Sequence, residues 1–377
     1  MITFSFILTR LHLLLALLPL LTFRKVFNLL HAIACFVFRS SRTVKHPSIL
    51  ILTLTTHCNY TCRMCLKSRK RKSSKGALMD YQRPKEMDFG ALRDLLREHA
   101  DYLALVKLQG GEPLYHSNIV ELVDLLNELK IPFDILTNGS LLTEDLCRKL
   151  VNSYCFSISI SLDAGRNETY RYLRHGGELP QVLSNIGRLN DIKSERASNR
   201  PILNASMCTF AENIGEVSEL LEICGQYRIP SLTVVEGHDY DTAFTKPHQL
   251  ARNNKERFRE ELARARSTAR RLGIILRLRF PCLADDSENP GNQSSEQVSI
   301  VPPRNCLNLY ASVWLLPDFN AMGCSCSTMS WGNIREQGLQ PVWNDPDGLY
   351  VRARQDLRER KVPVACRGCI YSGGFLS

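Results

Sequence analysis

Two kinds of hydrophobic pattern alternate along the chain between residues 48 and 280. Short runs of β-branched and aliphatic residues are typical of buried strands, and longer stretches with apolar residues at helical spacing are typical of amphipathic helices. The predicted strands are 48–55, 103–108, 133–136, 156–162, 202–209, 231–235 and 274–280, and the predicted helices are 88–100, 118–129, 143–151, 179–191, 214–228 and 254–272. This succession predicts an α/β fold in which helices cover a parallel sheet, either an open wound sheet or a barrel.

The pattern changes on both sides of this region, and the changes predict domain boundaries. Residues 1–47 are apolar and basic, which predicts a separate helical segment that associates with a membrane. Residues 281–300 are mostly polar and contain Gly and Pro, which is typical of a linker. Residues 301–377 lose the alternation and carry clustered cysteines, so a small Cys-rich domain is expected to follow a core domain of residues 48–280.

The N-terminal segment contains two apolar runs, Leu11–Phe23 and Val26–Phe38, separated by Arg24 and Lys25. Neither run reaches the roughly 18–20 apolar residues that a straight helix needs to span a bilayer. The sequence therefore predicts helices in the membrane interface, on a cytoplasmic protein bound peripherally to the inner face of the cell membrane. A true transmembrane segment and helices packed on the protein itself are the alternatives.

The net charge of +10 would by itself suggest a nucleic-acid partner. However, residues 1–79 contain thirteen Lys and Arg and no Asp or Glu, whereas the remaining residues hold 35 basic and 38 acidic side chains. The body of the protein is thus nearly neutral, and we expect no nucleic-acid partner.

Fourteen cysteines are many for a chain of this length, and several are closely spaced, which favours metal ligation in a reducing compartment over disulfides. Cys58, Cys62 and Cys65 follow the first predicted strand directly. A structural zinc site needs four closed ligands, and His57 is poorly suited as the fourth because it is adjacent to Cys58. A four-iron cluster held by three cysteines instead leaves one iron open for a ligand.

Three further motifs follow the second, third and fourth strands in order. They are Gly110-Gly111-Glu112-Pro113, Thr137-Asn138-Gly139 and Ser159-Ile160-Ser161-Leu162-Asp163. Together with the CxxxCxxC spacing of Cys58, Cys62 and Cys65, they resemble the radical S-adenosylmethionine (SAM) superfamily. The resemblance covers roughly residues 48–280 and implies a partial (β/α)6 barrel.

The resemblance also implies roles for these residues. Cys58, Cys62 and Cys65 would hold a [4Fe-4S] cluster whose open iron binds SAM, and the cluster would be reduced by a donor such as flavodoxin or ferredoxin. Residues implied in SAM binding are Gly110, Gly111, Glu112, Asn138, Ser159, Ser161 and Asp163. No catalytic acid or base is assigned. Met64 departs from the aromatic residue that the family often has before the third cysteine, although methionine also packs well against rings.

A second set of cysteines lies near the C-terminus. Pro317-Asp318-Phe319-Asn320 predicts a hairpin turn that puts Cys306 and Cys324 on or just beyond paired strands. With Gly332–Ile334 and Val342–Asn344, the set resembles the SPASM/twitch extension of radical SAM enzymes. The resemblance implies a second, auxiliary [4Fe-4S] cluster on Cys306, Cys324, Cys366 and Cys369. Cys326 could replace Cys324, and a structural zinc is the alternative to the cluster.

Two classes of function follow. The first is an enzyme that cleaves SAM to a 5′-deoxyadenosyl radical and abstracts hydrogen from a peptide or small-molecule substrate. Peptide maturation is common among SPASM relatives, whereas the basic N-terminal region favours a membrane-proximal metabolite, lipid-linked or glycan. The second class is a non-enzymatic, membrane-associated zinc or iron–sulfur scaffold.

Overall fold

A computed structural model describes residues 16–41, 46–65, 85–238, 242–280, 306–324, 327 and 329–366. The strands are β1 Ile49–Thr55, β2 Leu105–Gly110, β3 Phe133–Thr137, β4 Cys155–Ser161, β5 Ile202–Thr209, β6 Ser231–Glu236, β7 Ile275–Arg279, β8 Ser312–Leu315 and β9 Ala321–Met322. The main helices are α1 Phe23–Val37, α2 Phe89–His99, α3 Ile119–Glu128, α4 Glu144–Val151, α5 Asn167–Leu173, α6 Leu179–Glu195, α7 Val217–Gln226, α8 Lys255–Leu272, α9 Asn308–Ala311, α10 Ile334–Gln337, α11 Leu339–Asn344 and α12 Leu349–Arg358.

The nine strands form one sheet in the order β7-β6-β5-β4-β3-β2-β1-β8-β9. All neighbouring pairs from β7 to β8 are parallel, and only β8 and β9 are antiparallel. The predicted α/β class and the seven predicted strands are confirmed. β8 hydrogen-bonds to β1, so the predicted hairpin around residues 317–320 extends the sheet of the core. The domain boundaries stay a prediction.

The two faces of the sheet differ in chemistry. Aliphatic side chains such as Leu52, Val106 and Ile158 are buried with the helices in a single hydrophobic core. On β4 and β5, the residues that alternate with these buried ones are Ser159, Ser161, Asn204, Ser206 and Cys208, and they are partly exposed. Because side chains alternate between the faces of a strand, these polar groups share the face turned away from the helices.

Local sequence explains some helix boundaries. The Thr143 side chain accepts a hydrogen bond from the backbone N–H of Leu146 and caps α4. Gly273 ends α8 in the left-handed conformation, at a φ of 67°. Helix α5 was missed, because seven residues with no side-chain N-cap give little periodic signal.

Helix α1 packs against the rest of the protein through a side that carries two polar residues. Lys25 is only 2% exposed, and its ammonium donates a 2.6 Å hydrogen bond to the backbone carbonyl of Lys130. Asn28 Nδ2 donates to Ser48 Oγ and to the carbonyl of Tyr102, each at 3.1 Å. The buried stripe consists of Lys25, Asn28, Ala32 and Cys35. Helix α1 thus packs on the protein through these hydrogen bonds and through apolar contacts, such as that between the rings of Phe36 and Tyr310.

The opposite side of α1 exposes large apolar side chains. Phe23 is 84% exposed, and Phe38, just past the end of α1, is 83% exposed. Phe27, Leu30 and Val37 are also more than half exposed. Within the described part of the chain, no helix is both long and apolar enough to cross a membrane.

Candidate functional site

The four sequence motifs meet at one edge of the sheet. The cysteine loop follows β1, the Gly-Gly-Glu turn follows β2, and Thr137-Asn138-Gly139 closes β3. The register aligns Thr55 with Gly110, and Thr137 with Ile160 on β4. Because the strands are parallel, all these motifs lie at their carboxyl ends, where α/β folds build their sites.

The cysteine loop is held by the segment at the end of α5. Thr61 donates from its backbone N–H to the carbonyl of His175, and its hydroxyl lies 2.8 Å from His175 Nδ1. Arg63 donates from Nε to the carbonyl of Tyr172 at 2.7 Å, and its guanidinium lies 4.3 Å from the centre of the Tyr172 ring. The helix that the sequence did not reveal therefore fixes this loop.

Cys58, Cys62 and Cys65 are all partly exposed. Burial raises the pKa of Cys62 to about 12, Arg174 opposes this shift, and the other two cysteines reinforce it. Three thiols within electrostatic range of one another are the donor set that an iron–sulfur cluster takes. No three His, Cys, Asp or Glu side chains in the described ranges are grouped so that they could hold a single metal ion.

The Gly-Gly turn packs against the start of the cysteine loop. A Cβ at Gly111 would lie 2.1 Å from the carbonyl oxygen of His57, and one at Gly110 would lie 2.4 Å from that of Thr55. The Gly111 N–H donates to Thr55 O at 2.7 Å, and the Glu112 N–H donates to His57 O at 2.8 Å. Glycine is needed here because the backbone of the chain itself approaches so closely.

Glu112 joins the β2 and β3 turns. Its carboxylate accepts hydrogen bonds from Thr137 Oγ1 and the Asn138 N–H, both at 2.7 Å, and from the Leu114 N–H at 3.1 Å. The side chain is buried, and this burial raises the pKa of Glu112 although the three donors oppose the shift. The carboxylate that was expected near SAM thus holds two site turns together.

Asn138 connects the third motif to the cysteine loop. Its Nδ2 donates to Asn59 Oδ1 at 2.9 Å, and its Oδ1 accepts from the backbone and hydroxyl of Ser140. Asn59 in turn donates to Ser140 Oγ at 2.9 Å. Asn59 lies between two of the cysteines, but no spacing in the sequence singled it out.

Asp163 lies just beyond β4 and is paired inside the protein. Its Oδ2 accepts a 2.7 Å hydrogen bond from Arg174 Nε, and its Oδ1 accepts one of 2.8 Å from the Cys208 N–H. Burial opposes the charge on Arg174, but Asp163 and Cys62 outweigh it and raise the pKa of Arg174. Arg174 was missed because it belongs to no motif and reaches the site only through the fold.

Ser159 and Ser161 project onto the polar face of the sheet. Both are partly exposed, and neither hydroxyl makes a hydrogen bond to another residue that the structure describes. They are open to a ligand, which distinguishes them from Glu112 and Asp163.

Three of the C-terminal cysteines fall within the described residues. Cys306 precedes α9, Cys324 comes two residues after β9, and Cys366 lies in a short helical turn. All three are partly exposed. Cys326, Cys369 and the predicted linker lie outside the described residues.

Comparison with protein families gives a match to the Radical SAM superfamily over residues 52–224. The chain is 23% identical over 175 residues to a probable GTP 3′,8-cyclase of Methanocaldococcus jannaschii, covering 46% of this chain and 54% of that protein. It is 25% identical over 189 residues to the mycofactocin maturase of Mycolicibacterium smegmatis, covering 49% and 44%. The chain thus matches about half the length of these relatives.

The fold is similar to that of Streptococcus suis SuiB, solved with the precursor peptide SuiA. The TM-score is 0.62 at 17% identity, over 86% of this chain and 70% of that chain. This similarity extends beyond the matched domain and shows a shared fold. The comparison therefore identifies residues 52–224 as a radical SAM domain.

Proposed function

We propose that this protein is a radical SAM enzyme that abstracts hydrogen from a peptide or another polar substrate. The observation that carries this proposal is the linkage of Cys58–Cys65 to the glycine and asparagine turns at one edge of a parallel sheet. Hydrogen bonds join all three motifs, so the thiols and the turns would keep a fixed spacing. Such preorganisation is what a radical reaction requires of its protein.

Each group would have a separate task. Cys58, Cys62 and Cys65 would hold the cluster, and the hydroxyls of Ser159 and Ser161 would orient SAM on the polar face. When bound, a reduced four-iron cluster supplies the electron that splits SAM into methionine and a 5′-deoxyadenosyl radical, which then takes a hydrogen atom from substrate. Glu112 and Asp163 would act as positioning residues, because protein donors occupy their carboxylates.

A peptide is the favoured substrate class. One similar protein is named as a maturase, of mycofactocin, and another was solved bound to a precursor peptide. The polar face bears hydroxyl, amide and guanidinium groups that can hydrogen-bond to a peptide backbone. A membrane-proximal metabolite, lipid-linked or glycan, is the second candidate, which the exposed face of α1 favours.

An auxiliary [4Fe-4S] cluster on Cys306, Cys324, Cys366 and Cys369 is part of the proposal. It is supported by Cys306 and Cys324, which lie before and after the β8–β9 hairpin and are both partly exposed.

We expect about eight irons per chain after anaerobic reconstitution, because two four-iron clusters are proposed. The protein should be brown and should form 5′-deoxyadenosine from SAM when reduced. A variant with Cys58, Cys62 and Cys65 all changed to Ala should retain roughly four irons on the C-terminal cysteines.

Iron analysis and chromatography of the SAM products measure these outcomes. Loss of all iron from the triple variant would remove the auxiliary cluster from the proposal. A colourless protein that holds zinc and leaves SAM intact would instead support the scaffold.

The exposed face of α1 supports attachment to the cytoplasmic surface of an anionic membrane. Its aromatic and aliphatic side chains are held outward by the polar attachment of Lys25 and Asn28. The first 79 residues of the chain contain no acidic side chain, so charge attraction and hydrophobic insertion would act together. The α1 face, defined by Phe23, Phe27, Leu30 and Val37, would enter the lipid interface.

Changing Phe23 and Phe27 together to Glu should weaken binding to phosphatidylcholine–phosphatidylglycerol vesicles about a hundredfold or more, since burying each ring is worth about 1.5–3 kcal/mol. Vesicle sedimentation of the full chain measures this. The control is Val120→Glu on α3, another exposed apolar residue. Equal vesicle binding by wild type and the Phe variant would contradict the proposed membrane contact, and circular dichroism would verify that both are folded.

A further inference from the structure

The polar face of the sheet continues beyond the four motifs to the edge strand β7. Leu276 and Leu278 pack toward the hydrophobic core, so the alternating residues Ile275, Arg277 and Arg279 lie on the opposite face. That is also the face of Ser159 and Ser161, because neighbouring strands in register share their faces. Two arginines therefore stand at the edge of the surface on which the substrate is proposed to react.

The strand register relates Arg277 to the SAM-binding motif. Ser161 on β4 is in register with Ser206 on β5, Ser206 with Thr233 on β6, and Thr233 with Arg277 on β7. Three strand spacings separate Ser161 from Arg277, which is about 14 Å. A substrate that reacts near Ser161 and is a few residues or one nucleotide long could reach Arg277.

Arg277 is oriented by neutral groups. Its Nη1 donates to Ser231 Oγ at 3.1 Å, and Ser231 Oγ donates to Asn204 Oδ1. Asn204 is in register with Ser159, so this chain of hydrogen bonds runs back toward the site. The Arg277 side chain is partly buried and its direction is set by these contacts.

Among the residues that the structure describes, no acidic side chain neutralises either guanidinium. Neither Arg277 nor Arg279 forms an ion pair with any residue of the described ranges. Burial lowers the pKa of Arg277, and the neighbouring charge of Arg279 lowers it further. Two adjacent cations, one of them partly desolvated, are unfavourable unless an anion joins them.

We propose that Arg277 and Arg279 form a subsite for an oxyanion of the substrate, a carboxylate or a phosphate. This inference rests on the proposed function, because it assigns the pair to the substrate of that site. Arginine suits this task, since its planar guanidinium binds carboxylate and phosphate oxygens in pairs. The substrate would then be anchored by its anionic group at β7 and present its reacting carbon toward Ser159 and Ser161.

The test is calorimetric titration of the reconstituted full chain with inorganic pyrophosphate and, separately, with succinate. Arg277→Gln/Arg279→Gln should weaken binding of the preferred anion at least tenfold. The control is Arg266→Gln/Arg270→Gln, which removes the same charge from exposed positions on α8. It should change affinity less than twofold. If pyrophosphate binds more tightly, the substrate anion is a phosphate, and if succinate binds more tightly, it is a carboxylate.

Three results would overturn the subsite: wild type shows no saturable binding, both double variants lose affinity equally, or an internal acid occupies the pair. For the last, Asp285, Asp286 and Glu288 follow β7 in the sequence. If changing these three residues to Asn, Asn and Gln raises the affinity for pyrophosphate more than tenfold, the acids of this segment occupy the arginine pair. Formation of 5′-deoxyadenosine is measured in parallel, so failure of the SAM chemistry is distinguished from failure of the subsite.

Discussion

Cys62→Ala is expected to reduce formation of 5′-deoxyadenosine below detection, at least a thousandfold under reducing conditions. Of the three loop cysteines, Cys62 lies within electrostatic range of both others and of Arg174. Two remaining thiolates cannot hold a four-iron cluster that keeps one iron open, so the cofactor that drives the reaction would be lost. Product chromatography and iron analysis after anaerobic reconstitution measure the effect.

Cys208→Ala is the matched control for this loss. Cys208 and Cys62 both pack against the small hydrophobic cluster that contains Met64, yet Cys208 lies on β5 and outside the cysteine loop. Its replacement should leave the iron content unchanged and the activity within about threefold, because only a small packing contact is removed. Undiminished SAM cleavage by the Cys62 variant, or equal loss in the Cys208 variant, would contradict the assignment of the loop.

Arg174→Ala should destabilise the protein by about 3–5 kcal/mol, because it leaves the Asp163 carboxylate buried without its cation. The two side chains are only 12% and 2% exposed, and 2.7 Å separates the bonded atoms. Asp163 also binds the backbone N–H of Cys208, so the pair links the β4 turn to β5. Urea unfolding followed by fluorescence and circular dichroism measures the free energy.

Two comparisons test the origin of that effect. Arg174→Gln with Asp163→Asn removes both charges and should cost less than the sum of the single changes, since no buried charge is left unpaired. Arg148→Ala breaks exposed pairs with Glu144 and Glu195 and should destabilise the protein far less than Arg174→Ala, because water screens exposed ion pairs. If Arg174→Ala costs no more than Arg148→Ala, the buried pair does not stabilise this edge of the sheet.

The sequence was sufficient for those features that depend on neighbouring residues. The hydrophobic pattern located all seven strands of the core, since a strand with a buried face carries apolar residues at alternate positions, as in Ile202–Thr209. The Thr143 cap and the hairpin between β8 and β9 follow from local hydrogen bonding and turn chemistry. The order of the motifs along the chain also placed them at one edge, because parallel strands end together.

Only the tertiary structure decided which partners meet across the sheet. Arg174 and Asp163 are eleven residues apart and join through a helix too short to predict, and β8 joins β1 across most of the chain. The sequence identified α1 as apolar but could not tell which side faces the protein. Its orientation depends on contacts with distant segments, such as the hydrogen bond from Lys25 to the backbone carbonyl of Lys130 and the contact of Phe36 with Tyr310. Hydrogen bonds and ion pairs between residues far apart in the chain produce no periodic pattern in the sequence. These features could therefore be seen only in the folded structure.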